Sequence, residues 1–189
     1  IHVTPELKKK SDAEVVREGA SYSDLGKMTW RVQAEFDGFL LYDFELRPAP
    51  GANCDLMEIR VPIRKEFANL HYKGASDRGF ISDEPGVFWK ANFGRYWWIG
   101  TDDFGLCGAT QHAGANLDGA DDAFSIVRLP NGDVHVVYRF VGKSMALTEP
   151  WKLRWILQAT PTKPLPKDWR TWRDVSRGKS NSHAVQLWV

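Results

Sequence analysis

Apolar and polar residues alternate along most of this chain. Trp30, Val32, Ala34 and Phe36 interleave with Arg31, Gln33 and Glu35, and Leu40, Tyr42, Phe44 and Leu46 interleave with Asp43, Glu45 and Arg47. Successive side chains of an extended chain point to opposite faces, so a period of two predicts two strands, each buried on one face. Asp37-Gly38 between them is a hairpin turn pair. After a loop from Pro48 to Asn53, Met57, Ile59, Val61 and Ile63 alternate with Glu58, Arg60 and Arg64, a third strand, and Leu70-His71-Tyr72 is a candidate fourth. Tyr96 to Thr101 reads as a strand, Asp102-Asp103-Phe104-Gly105 as its turn, and Leu106 to Gln111 as its return. Phe124 to Leu129 and Val134 to Val141 form another hairpin around Pro130-Asn131-Gly132-Asp133, with Val134, Val136, Tyr138 and Phe140 on one face. Leu153, Trp155, Leu157 and Ala159 mark the last strand.

The alternation fails in four places. Residues 1–28 are polar and irregular and read as an N-terminal segment or linker. Within them Ser11-Asp12-Ala13-Glu14 has the form of a capping box and predicts a short helix near 12–18. Residues 74–86 and 113–122 are glycine- and aspartate-rich loops. From residue 161 onward, Pro161, Pro164 and Pro166 block helix and remove ladder donors, which predicts an extended polyproline arm over 161–189. That arm carries Trp169, Trp172 and Trp188, and Trp169, Arg170, Trp172 and Arg173 are its expected contacts with a following domain. Hairpin-linked strands with one apolar face each must cover that face with a second sheet. The expected fold is therefore all-β: a two-sheet antiparallel β-sandwich over 29–160 with a C-terminal extended Pro/Trp arm.

Composition narrows the function. The 189 residues carry 25 basic and 24 acidic side chains, a net charge of +1, which gives no electrostatic case for nucleic acid or an anionic membrane. No apolar run approaches the ~20 residues of a membrane helix. The chain begins Ile1-His2-Val3 without Met, which suggests a processed or excised piece. Cys54 and Cys107 either form one disulfide or serve as two small buried hydrophobes. The nine tryptophans weigh more. Burying one removes roughly 150–250 Å² from water, an upper estimate of about 4–6 kcal/mol each. A few can dominate a core, and an aromatic surplus also suits proteins that stack sugar rings.

No catalytic constellation, metal-ligand spacing or cofactor motif emerges, so no catalytic residue, metal or cofactor is expected. Two acidic groups are candidates for binding. Asp102 and Asp103 follow Trp97 and Trp98 at a strand end, where rings could stack on a sugar and carboxylates could accept from its hydroxyls; a hairpin turn explains the same residues. Asp118, Asp121 and Asp122 could offer oxygen ligands to calcium, or could form a solvated loop.

Four segments, read in order, resemble a known family: residues 35–48, from Glu35-Phe36-Asp37-Gly38 to Arg47-Pro48; Leu56-Met57-Glu58-Ile59-Arg60-Val61-Pro62; residues 98–106, Trp98 to Leu106; and residues 157–170, Leu157 to Arg170. Together they look like the N-terminal, non-catalytic β-sandwich region of glycoside hydrolase family 123-like proteins. The resemblance implies a secreted or periplasmic bacterial protein in which a following (β/α)₈ barrel holds the catalytic carboxylates, the best-known activity being β-N-acetylgalactosaminidase. It implies that this chain is an accessory domain supporting or capping that barrel, with glycan as a further partner. The alternatives are a stand-alone carbohydrate-binding module using Trp97 or Trp98, and an enzyme whose catalysts are the acid clusters. The chain departs from the family pattern at Cys107-Gly108-Ala109-Thr110-Gln111-His112, where aromatic and acidic residues are expected.

Overall fold

The computed structural model describes residues 5–73, 77–92, 96–110 and 117–162. They form fifteen strands: β1 (Glu6–Lys10), β2 (Glu14–Ser23), β3 (Gly26–Glu35), β4 (Phe39–Pro48), β5 (Asn53–Cys54), β6 (Met57–Ile63), β7 (Leu70–Tyr72), β8 (Arg78–Phe80), β9 (Gly86–Ala91), β10 (Tyr96–Gly100), β11 (Gly105–Thr110), β12 (Phe124–Arg128), β13 (Val134–Val141), β14 (Met145–Ala146) and β15 (Trp151–Thr160). A single 3₁₀ turn spans Lys65–Phe67. Every strand pairing is antiparallel.

A nine-stranded sheet runs β1-β2-β3-β4-β15-β11-β10-β7-β8, and a four-stranded sheet runs β6-β13-β12-β9. Strands β14 and β5 make a small separate ribbon. The expected two-sheet sandwich is therefore present. The arm beyond residue 162, including Trp169, Arg170, Trp172 and Arg173, lies outside the described residues.

The core follows from the alternation. Val134, Val136, Tyr138 and Phe140 of β13 and Phe124 and Ile126 of β12 are buried, and they face Trp151, Leu153, Trp155 and Leu157 of β15 and Trp97 and Ile99 of β10. Tyr138 sits among rings: Phe124 at 5.0 Å and Trp155 at 5.9 Å, both nearly perpendicular, the geometry that sets ring edges against ring faces. The Trp97 indole N–H donates to the Tyr138 hydroxyl across the two sheets, and both residues are fully buried. Burial pushes the Tyr138 phenol far above its usual range, so it stays a neutral hydroxyl.

Gly108 lies directly opposite Trp97 in the β10–β11 ladder. A Cβ there would come within 2.5 Å of the Trp97 ring, so only glycine leaves room for it. Trp30 lies over Gly19 in the same way, 2.3 Å from where a Cβ would stand.

A second anchor is a buried guanidinium. Arg128 is 6% exposed and donates to three carbonyls from three loops: Nε to Ser82 at 2.6 Å, Nη1 to Gly132 at 2.6 Å and Nη2 to Ala68 at 3.0 Å. A guanidinium's planar fork suits this role, because it fixes several acceptors at once.

Two expectations change. Residues 12–18 form no helix; they lie in the β1–β2 hairpin, and β2 pairs with β3 over ten positions from Glu14↔Glu35 to Ser23↔Gly26. Ser11 does accept backbone N–H bonds from Ala13 and Glu14, but at a hairpin turn closed by Ser11 N–H to the Glu14 carbonyl at 2.9 Å. The supposed loop 74–86 contains β8, and the segment after it is β9. Cys54 and Cys107 are both free thiols.

Replacing Tyr138 with Phe leaves the buried Trp97 N–H unpaired and is expected to cost about 1–3 kcal/mol. Gly108→Ala forces a methyl into the locked Trp97 ring and is expected to cost about 1–3 kcal/mol or more. Urea unfolding of both variants checks this; wild-type midpoints in both would remove the cross-sheet contact from its central place.

Candidate functional site

The nine-stranded sheet has an outer face that the four-stranded sheet does not cover. Because direction alternates, the neighbours of buried residues lie there. One row across the sheet is Phe39, Gln158, Cys107, Trp98, Tyr72 and Arg78. The adjacent row is Leu41, Ile156, Ala109 and Tyr96. Apart from Arg78 at the margin, neither row carries a charged side chain. Tyr96 is 41% exposed, and its ring meets Tyr72 edge-on at 6.0 Å. Burial raises the Cys107 thiol above its usual range, which makes it a weak nucleophile.

Trp98 is the central ring of this face. Its indole lies over Gly100 and Gly105, where added Cβ atoms would come within 2.5 and 2.4 Å of it. Its Nε1–H donates to the Thr160 hydroxyl at 2.9 Å. Two glycines and one hydroxyl thus hold the ring down on the sheet, half-buried. Trp97, one residue earlier, points the other way and is 0% exposed, so it cannot stack on a ligand. The expected pair of tryptophans is split by the strand's own period.

Asp102 and Asp103 sit on the turn immediately past the Gly100–Gly105 pair and are exposed. The turn is closed by Thr101: its N–H donates to the Phe104 carbonyl at 2.8 Å, and its hydroxyl accepts from the Asp103 and Phe104 amides. The structure therefore brings Trp98, Asp102 and Asp103 to one end of the sheet. Sequence reasoning missed the aromatic pair beside them: Phe67 and Phe104, 38% and 46% exposed, meet edge-to-face at 5.3 Å. Phe67 comes from the 3₁₀ turn, and no periodic pattern links it to Phe104.

The second acidic group serves the fold. Asp118 accepts from the Gly142 amide at 2.6 Å and the Ala120 amide at 3.0 Å; burial works to raise its carboxyl, but these bonds outweigh it and hold it below the usual range. Asp122 pairs with Arg139, which lowers its carboxyl as well. Among the described residues, no group of three His, Cys, Asp or Glu side chains is placed to hold a metal ion.

A further polar cluster lies beside β7. Asp77 takes Lys73 at 2.9 Å and His71 Nε2 at 3.1 Å. Lys73 is packed against Trp89 and Phe88, its ammonium 4.5 and 5.3 Å from the ring centres. The hydrogen bonds from Lys73 and then His71 hold the Asp77 carboxyl below its ordinary value of 3.8.

No protein-family model matches the chain, and no curated protein matches it. The family 123 resemblance therefore rests on its four motifs. Among solved structures, a protein of Escherichia coli K12 provisionally assigned as an aldose 1-epimerase overlaps 82% of this chain and 68% of its own, at 11% identity and a TM-score of 0.39. A likeness of that degree says nothing about what this chain binds. Among the described residues no helix is long and apolar enough to cross a membrane.

A carboxyl with a lowered pKa contributes stability that is complete above its unfolded value and disappears as pH falls through its folded one. The Asp77 cluster should thus hold fully above pH 3.8 and be lost on further acidification. Urea midpoints of wild type and Asp77→Asn should differ near neutral pH and converge at acid pH; a gap that persists in acid would contradict this assignment.

Proposed function

We propose that this chain is an accessory β-sandwich domain of a secreted carbohydrate-active protein, supporting or capping a catalytic barrel that follows it in the same polypeptide. The observation that carries the reading is the uncharged, aromatic outer face of the nine-stranded sheet. Two adjacent rows present Phe39, Trp98 and Tyr72, and Leu41, Ile156 and Tyr96. Contiguous apolar surface of this kind marks an interaction site, because leaving it wet costs free energy. Strand β15, the last one described, passes between β4 and β11 and ends at Thr160, which bonds Trp98. Strand β15 thus ends beside the central ring of this face, within reach of a domain that follows. The sugar connection is supported by the four motifs that resemble family 123 proteins.

One observation favours a second reading, a carbohydrate-binding module acting alone. Trp98, held down over Gly100 and Gly105 and half-buried, leaves part of its ring open to a sugar's C–H face.

Thermal unfolding separates these readings. The chain extended through its downstream sequence should unfold at a higher temperature than the chain alone, and Leu41→Glu or Tyr96→Glu should abolish that difference while leaving the isolated chain folded. Equal melting of the extended and isolated forms would sink the docking role.

A further inference from the structure

We propose a second carbohydrate-binding site, a polar trough on the outer face of the nine-stranded sheet at its β1–β4 end. It rests on the carbohydrate-active reading above, but not on the docking role of the aromatic face.

The trough is an open depression of about 810 Å³ that crosses β1, β2, β3, β4 and β15. That is within the ~300–1,000 Å³ of small-molecule sites and suits a short oligosaccharide. Its centre is a row of charges in strand register, Glu18↔Arg31↔Asp43↔Arg154. Arg31 Nη1 reaches Glu18 at 3.0 Å, and Arg154 grips Asp43 through Nε at 2.6 Å and Nη2 at 3.1 Å. Glu6 with Lys8 at 2.7 Å, and Glu45 with Lys152 at 3.8 Å, flank the row.

The lining contains four carboxylates and four cations, which cancel. A site with no net charge does not draw in phosphates or polyanions. It suits a neutral ligand whose groups both donate and accept. Vicinal hydroxyls do both, so one can accept from a guanidinium while donating to the carboxylate beside it. Arg31 donates one of its five N–H groups to Glu18 and lines the trough. Ala20 lies opposite Thr29 on the floor, and both are small enough to let a ring approach the backbone. Trp30 covers Gly19 on the opposite side of the sheet, so the trough binds by hydrogen bonds rather than by stacking.

A simple ladder of surface ion pairs is the rival explanation. Exposed pairs contribute at most about 1 kcal/mol each, so a ladder would be thermodynamically dispensable and would bind nothing. The experiment titrates the full chain, followed by amide NMR shifts, with neutral trisaccharides of glucose, galactose and N-acetylhexosamine and with a sulfated disaccharide. At least one neutral probe should shift the amides around Arg31, Asp43 and Arg154, and the sulfated probe should not. Arg154→Met and Asp43→Asn, confirmed folded by circular dichroism, should weaken binding at least about tenfold, the loss of one charge-assisted hydrogen bond. Arg60→Met, which breaks an exposed ion pair on the other sheet, should leave it unchanged. Absence of binding, preference for the sulfated probe, shifts confined to the Trp98 region, or wild-type affinity in both trough variants would each overturn the proposal. None of these outcomes bears on the melting test of the docking role, so the two can fail separately.

Discussion

The sandwich is organised around one polar contact in an apolar interior, the hydrogen bond from the Trp97 indole to the Tyr138 hydroxyl. A buried N–H and a buried hydroxyl each lose water on folding, and each would be costly if left unpaired. Joined to one another, they fix how far apart the two sheets stand and which residues of β10 and β13 face each other. Other features follow from this. The ring of Trp97 needs the empty space above Gly108, and the ring of Tyr138 needs Phe124 and Trp155 at its edges. Once Trp97 is committed inward, the pleat turns Trp98 outward onto Gly100 and Gly105. One core contact therefore determines which tryptophan is available at the surface.

The strands that alternate strictly were legible in the sequence: β3, β4, β6, β12, β13 and β15 lie where the apolar period of two places them. What escaped has physical reasons. The Ser11–Glu14 segment has the composition of a helix cap, because the same hydroxyl that satisfies N–H groups at a helix start also satisfies them at a tight turn. Strand β9 contains Val87, Phe88 and Trp89 in succession, and its ladder slips between Ile126 and Val127, so no clean period marks it. Sheet order was not legible, since β15 joins β4 across more than a hundred residues and nothing local encodes that meeting. At the candidate site, residue types could be read but directions could not. Trp97 and Trp98 are equivalent as text and opposite in space.

The outer face of the large sheet divides into two chemistries. Toward β10 and β7 it is aromatic and uncharged; toward β1 it becomes a trough of compensated charge. The first suits contact with apolar surface or with a ring's C–H face, and the second suits hydroxyl groups. Both belong to the same sheet, so their geometry is coupled through β4 and β15, the strands shared by the two regions. Arg128 works at the rim of the sandwich, tying the loops at Ala68, Ser82 and Gly132 so that this frame holds its shape.

The large sheet also has a margin, and β1 forms it. All five of its residues are exposed, and three of them are consecutive lysines, Lys8, Lys9 and Lys10. Among the described residues β1 pairs on one side alone, and a strand edge is a template on which another chain can add unless charged side chains discourage it. The sheet thus ends on a strand dense in charge, with Lys8 held by Glu6 and Lys9 by Glu14. A strand added there would have to take those ion pairs out of water, so Glu6 and Lys8, which border the trough, also guard the edge of the sheet.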